Sequence, residues 1–327
     1  MSDAIGISAS LGTAGCWAMT ALFFSAAGRR IGSKSVNRIR LVIAIVFLIA
    51  TMFVLGLPWE IPTNQLVLFG LSGVIGLALG DAIFFESLVI LGPRRAALIM
   101  SCLSPVFAAM LMVPLLSETI GVIAIAGMAL TIGGVGWVIS ERAAPGATQG
   151  NIRLGVLLAM GGALCQAGGL IVAKAALGRA ADGSLLASWS GLSAREGMSG
   201  VDIHATYGTL IRMITALFAL LLYSAIYGGL RKTLQSTRDR KGMVLTATGA
   251  FFGPFLGVTL SLIAVANANT AVASTVMAMS PILVIPIVIV VYKEKVSWRA
   301  WAGAIVAVAG VALLSLRELL KDSIGQL

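Results

Sequence analysis

Residues 80–118 read GDAIFFESLVILGPRRAALIMSCLSPVFAAMLMVPLLSE, and residues 269–297 read NTAVASTVMAMSPILVIPIVIVVYKEKVS. In the first stretch Ser104-Pro105 is followed by Glu118, thirteen residues past the proline, and in the second Ser280-Pro281 is followed at the same interval by Glu294. The offset between them is 176 positions. At that offset Ala97 meets Ala273, Gly127 meets Gly303, Gly134-Val135 meets Gly310-Val311, and Gly73 meets Gly249 further upstream. With a gap of four residues, Ile39-Arg40-Leu41 lies over Ile211-Arg212-Met213, which carries the match back to an earlier helix of each half. Self-similarity at one fixed offset marks a duplicated structural unit.

The medium that surrounds this unit follows from composition. Hydrophobic residues make up 58% of the 327, charged residues only 11%, and mean hydropathy is +1.00. Soluble domains carry charge at roughly a quarter of positions. Stretches such as 41–57 and 271–291 hold no Asp, Glu, Lys or Arg, so lipid or neighbouring helices must cover them. Ten segments reach the length and apolarity of a span: 5–27, 39–57, 66–91, 96–116, 119–139, 152–177, 207–228, 243–264, 270–292 and 298–317. Unpaired peptide groups are costly in hydrocarbon, so these segments are expected to be helices. The expected fold is therefore all-α and membrane-embedded, with ten transmembrane helices in two five-helix repeats, 1–142 and 150–327. Five is odd, so the second repeat must lie inverted relative to the first. The segment 178–206 reads as a surface loop, and 5–28 as a retained first span and not a cleaved signal peptide.

Charge supports the inversion. The connection between helices 2 and 3 has no Lys or Arg, whereas that between helices 7 and 8 carries Arg231, Lys232, Arg238, Arg240 and Lys241. One side of the expected topology collects 17 basic residues and the other 6. The positive-inside rule then places both termini outside the cytoplasm. The net charge of +10 is scattered over short loops and forms no aromatic-interleaved patch, which argues against a nucleic-acid partner. Cys16, Cys102 and Cys165 lie inside apolar spans without metal-ligand spacing and read as small buried residues.

The run from Gly80 to Glu118 and its second copy resemble the EamA-type ten-helix members of the drug/metabolite transporter superfamily, over residues from about 8 to 316. The resemblance implies a carrier with a central cavity near the midplane, lined by helices 1, 3, 4, 6, 8 and 9, working by alternating access without ATP hydrolysis. Many family members have cytoplasmic termini, opposite to the orientation that the charges favour here.

The candidate site residues are those that place polarity or a break at membrane depth. Asp81 falls near the middle of helix 3, where a carboxylate costs about 2.5–3.5 kcal/mol, so it must face a cavity or a partner. Its expected role is proton or substrate binding, with a structural partner as the alternative. Glu86 is the second acid, and pairing with the Arg94-Arg95 turn is its expected structural role. Pro105 and Pro281, with Ser104 and Ser280, are expected to kink helices 4 and 9 and free a carbonyl near the midplane. Trp17, Ser101, Gln166, Asn267 and Thr275 complete the set as sources of cavity polarity. Glu118 and Glu294 read as helix-end caps, Arg40 and Arg212 as snorkelling residues with a substrate contact as the alternative, and His204 as a residue of a loop or of the start of helix 7. The glycines of helices 3 and 8 permit close helix approach.

The expected function is secondary active transport of a small organic metabolite or drug across the plasma membrane, with proton coupling through Asp81 or Glu86 as the accompanying hypothesis. No cofactor or metal is expected, and either a monomer or a homodimer fits. The alternatives are an integral membrane enzyme acting on lipid, and a channel or scaffold. The enzyme is disfavoured because the sequence has no HExxH, P-loop or Gly-x-Ser-x-Gly motif.

Overall fold

A computed structural model describes residues 2–57, 59, 63–116, 121–140, 151–176, 205–267, 276–293 and 296–324. The described residues form helices and no strand. In chain order these are α1 (Ser2–Ile31), α2 (Ser33–Leu55), α3 (Thr63–Gly73), α4 (Asp81–Leu91), α5 (Pro93–Leu116), α6 (Val122–Ser140), α7 (Ile152–Ala176), α8 (Ala205–Tyr227), α9 (Leu230–Ser236), α10 (Arg240–Ala250), α11 (Val258–Asn267), α12 (Ser280–Tyr292) and α13 (Trp298–Ile324). Eight helical stretches are long and apolar enough to cross a bilayer, and Ser280–Tyr292 and Trp298–Leu314 are two shorter apolar helices. This is a multi-pass α-helical membrane protein.

Two spans are composite. Residues Val74–Gly80 form a π-helical turn that joins α3 to α4, and Phe251–Gly257 form another that joins α10 to α11. Each is rich in glycine, and the second contains Pro254, which lacks an amide to donate. A π-helical turn widens the hydrogen-bonding register locally and is enriched at functional sites. Hydropathy does not register it, because the composition of the span stays apolar.

Helix pairing occurs in matched sets. α7 runs along α3, its π turn and α4, while α1 runs along α10, its π turn and α11. α2 packs against α8, and α6 against α13. The close approaches are made at glycines, as expected where van der Waals contact and not the hydrophobic effect holds helices together. On α6, a methyl added to Gly127 would meet the Gly310 carbonyl at 2.9 Å, and one added to Gly134 would meet the Gly303 carbonyl at 2.8 Å. Both Gly127–Gly303 and Gly134–Gly310 are pairs at the 176-residue offset, so each contact is the exchanged image of the other. Thr131 Oγ1 also donates to the carbonyl of Ala307, again 176 residues away, at 3.4 Å.

Outside the apolar layer, Arg30 at the end of α1 reaches Asp239 at 2.8 Å, and Asp239 caps α10 by accepting from the Gly242 amide at 2.9 Å. The bond from Arg30 and then that from Gly242 hold the Asp239 carboxyl below the usual carboxylate range.

Several expectations need correction here. Helix 2 begins at Ser33 and not at 39, because a polar first turn is tolerated where it meets other protein. Pro281 does not kink a continuous helix. It stands in the first turn of α12, with Met279 as N-cap, where the missing amide would have been unpaired anyway. Pro105 does lie inside α5, and Pro286 inside α12. Thr275, Glu118, Glu294, His204 and nearly all of 178–206 lie outside the described residues.

Candidate functional site

Asp81 opens α4 directly after the π turn. Ten residues separate it from Leu91, which at 1.5 Å per residue puts it about 15 Å from that end of the span, near mid-depth of a hydrocarbon core about 30 Å thick. It is buried and ion-paired with Arg40 of α2. Arg40 Nη2 donates to Asp81 Oδ2 and, at 3.0 Å, to Asn37 Oδ1, while its Nε donates to Asn37 Oδ1 at 3.1 Å. The guanidinium carbon lies 4.9 Å from the centre of the Phe85 ring and 5.9 Å from that of Phe24, which are themselves packed edge to face. Two phenyl rings and a carboxylate thus replace the water that this cation gives up.

Arg212 of α8 is the second cation at this depth, close enough to Asp81 for the two charges to interact. Its Nε and Nη2 are shielded from solvent and have no hydrogen-bond partner among the described residues. The same is true of Gln166 Oε1 on α7. Both groups flank Gly76 in the π turn, where an added methyl would stand 3.4 Å from Gln166 Oε1 and 3.5 Å from Arg212 Nη2. Neither arginine snorkels, contrary to expectation. The early start of α2 at Ser33 sets Arg40 about 10 Å along its helix, and Arg212 lies at a similar distance from Ala205, the start of α8. A cation that deep lowers its energy by turning inward to a carboxylate.

Nearer one face, a cavity of about 530 Å³ opens between the end of α1, the start of α2, α4 and the end of α8. Ser33, Lys34, Arg38, Glu86, Tyr223 and Lys232 are among its lining residues. Glu86 does not pair with the Arg94-Arg95 turn. It accepts a hydrogen bond from Ser33 Oγ, because the α4 surface that carries Glu86 faces the start of α2. Arg38 donates to Thr233 Oγ1 at 2.6 Å. Asp81, five residues deeper, is not part of the cavity wall.

Of the remaining candidates, Trp17 packs its indole against Gly257 of the second π turn, with Nε1 3.0 Å from where a methyl would sit, and is 38% exposed. Ser101, Ser104 and Pro105 are half-buried on α5, and Ser280 and Pro281 are buried at the start of α12. None of the cluster's hydrogen bonds or ion pairs involves these residues. Asn267 ends α11. Sequence reasoning singled out Asp81 and Gln166 but favoured snorkelling over a substrate contact for Arg40 and Arg212; the signal for the latter was their alignment at equivalent positions of the two halves.

A helical bundle with a charge cluster at mid-membrane defines a class, the polytopic membrane proteins whose intramembrane charges mark a functional site. The model of the EamA-like transporter family matches residues 4–140 and 183–316, and the chain belongs to that family of small-molecule membrane transporters. No curated protein matches significantly. Among solved structures, one titled "Crystal structure of protein" is similar over 97% of this chain and 98% of its own, at TM-score 0.58 and 17% identity, a likeness of fold.

Proposed function

We propose that the chain is a secondary carrier that moves a small organic solute across the plasma membrane by alternating access, using ten spans in two inverted five-helix repeats, 1–142 and 150–327. The observation that carries this reading is the Arg40–Asp81–Arg212 cluster. Its two arginines come from equivalent positions of the two halves and meet one acid at mid-membrane. A charge cluster retained where charges are costly, at the boundary between two repeats, is what a carrier's solute site requires. The exchanged glycine contacts of α6 and α13 support inversion, and so do the matched pairings of α1 and α7 with the opposite π turns.

The basic residues around the cavity support its placement on the cytoplasmic side, with both termini on the other. Proton coupling belongs to Glu86, which lines the open cavity and accepts a hydroxyl bond from Ser33 among the described residues, whereas Asp81 is held between two cations. The enzyme alternative gains no support from the described residues, where no three His, Cys, Asp or Glu gather to hold a metal.

The test is flux. Proteoliposomes loaded with a labelled metabolite mixture should exchange at least one solute saturably, and Glu86→Gln should retain exchange while losing any response to a pH gradient. Non-saturating flux would point to a channel, and no flux at all to a scaffold or an enzyme.

A further inference from the structure

We infer that the transported solute carries a carboxylate, bound by Arg212 with Gln166 across the bare backbone of Gly76. This deepens the carrier reading and rests on it. The cluster holds two guanidinium groups and one carboxylate. Arg40 commits Nε and Nη2 to Asp81 and Asn37 and lies against the Phe24–Phe85 ring pair. Arg212 is left with Nε and Nη2 shielded from water and without a hydrogen-bond partner among the described residues. One uncompensated positive charge at mid-membrane calls for one negative charge, which a singly charged carboxylate supplies and a dianion would exceed. The guanidinium edge formed by Nε and one Nη is the fork that accepts a carboxylate through two parallel hydrogen bonds, a geometry that an amine or a neutral amide cannot use.

Gln166 supplies the second half of the recognition. Its Oε1 lies at the same glycine and also lacks a hydrogen-bond partner among the described residues, so it can accept from a donor on the solute, and with the amide turned its Nε2 can donate to the carboxylate. Gly76 puts bare backbone between the two side chains. A methyl there would stand at ordinary contact distances from its nearest neighbours, 3.4, 3.5 and 3.6 Å, so alanine fits the fold while occupying the ground that the carboxylate needs. The site lies on the α7 side of the π turn, where Gly169 meets Gly76 backbone to backbone. A register shift in that turn would open it.

The experiment uses matched probes on purified full-length protein: benzoate against benzamide and benzylamine, and N-acetylleucine against its amide. Binding is read as a ligand-induced rise in unfolding temperature, and transport as efflux from loaded vesicles. The carboxylate of at least one set should bind and move, and its amide and amine should not. Arg212→Gln should weaken carboxylate binding about tenfold or more, as expected for losing a charge-assisted pair, and Arg212→Lys should recover part of it. Gly76→Ala should abolish binding with the unfolding temperature of the free protein preserved. Carboxylate binding without flux would keep the site and remove the carrier reading. Flux of an amide or amine alone would keep the carrier and overturn the carboxylate site, as would carboxylate binding unchanged in both Arg212→Gln and Gly76→Ala, or no carboxylate binding.

Discussion

Asp81→Asn is expected to destabilise the protein by about 3–5 kcal/mol, the cost of leaving buried charge without its partner, and to abolish transport. The asparagine can still accept one hydrogen bond from Arg40, but the carboxylate charge that paired with Arg40 and interacted with Arg212 is gone, which leaves two guanidinium groups inside the spans without it. The double variant Asp81→Asn with Arg40→Gln removes the ion pair as a unit and should regain most of the lost stability. It should regain no transport. Thermal unfolding in detergent gives the first quantity and vesicle efflux the second. A single variant as stable as the parent would mean that Asp81 is not the compensating charge.

The second large effect concerns the contact between halves. Gly134→Ala places a methyl 2.5 Å from the amide nitrogen of Ala307 and 2.8 Å from the carbonyl of Gly303, both backbone atoms that cannot rotate away. α6 and α13 must then separate, at a cost at or above the upper end of the roughly 1–3 kcal/mol typical of overpacking. Gly133→Ala and Gly136→Ala have nothing within 4 Å and should be neutral or slightly stabilising, since alanine favours a helix by up to about 1 kcal/mol over glycine. Unfolding temperatures of the three variants decide the matter. Equal effects would show that general helix propensity, and not the interhelical contact, governs these positions.

The membrane environment and eight of the ten expected spans were legible because hydrophobic length is a one-dimensional property that the chain displays openly. The family likeness was legible for a related reason: Ser-Pro, the acid thirteen residues later and the following glycines recur at one offset. The π turns at 74–80 and 251–257 were not legible. Their departure from α-helical register reflects how glycine backbones meet α7 and α1, and leaves no mark on hydropathy. Arg40 and Arg212 were misjudged because a basic residue near the end of an apolar run normally reaches for the interface. The repeat alignment already placed them at matching positions, and the inward turn follows once Asp81 is available as a partner. Glu86 shows the reverse case, where the nearest basic residues in sequence are not the nearest group in space, since Ser33 comes from another helix.

Alternating exposure of the Gln166–Arg212 region to the two faces of the membrane is the central claim, and thiol accessibility tests it directly. With Cys16, Cys102 and Cys165 replaced, Gln166→Cys is treated with a membrane-impermeant thiol reagent applied to one face and then, separately, to the other. Modification from both faces is predicted, since each half of the cycle must bring this half-buried position into contact with water. Modification from a single face, or from neither, would contradict it.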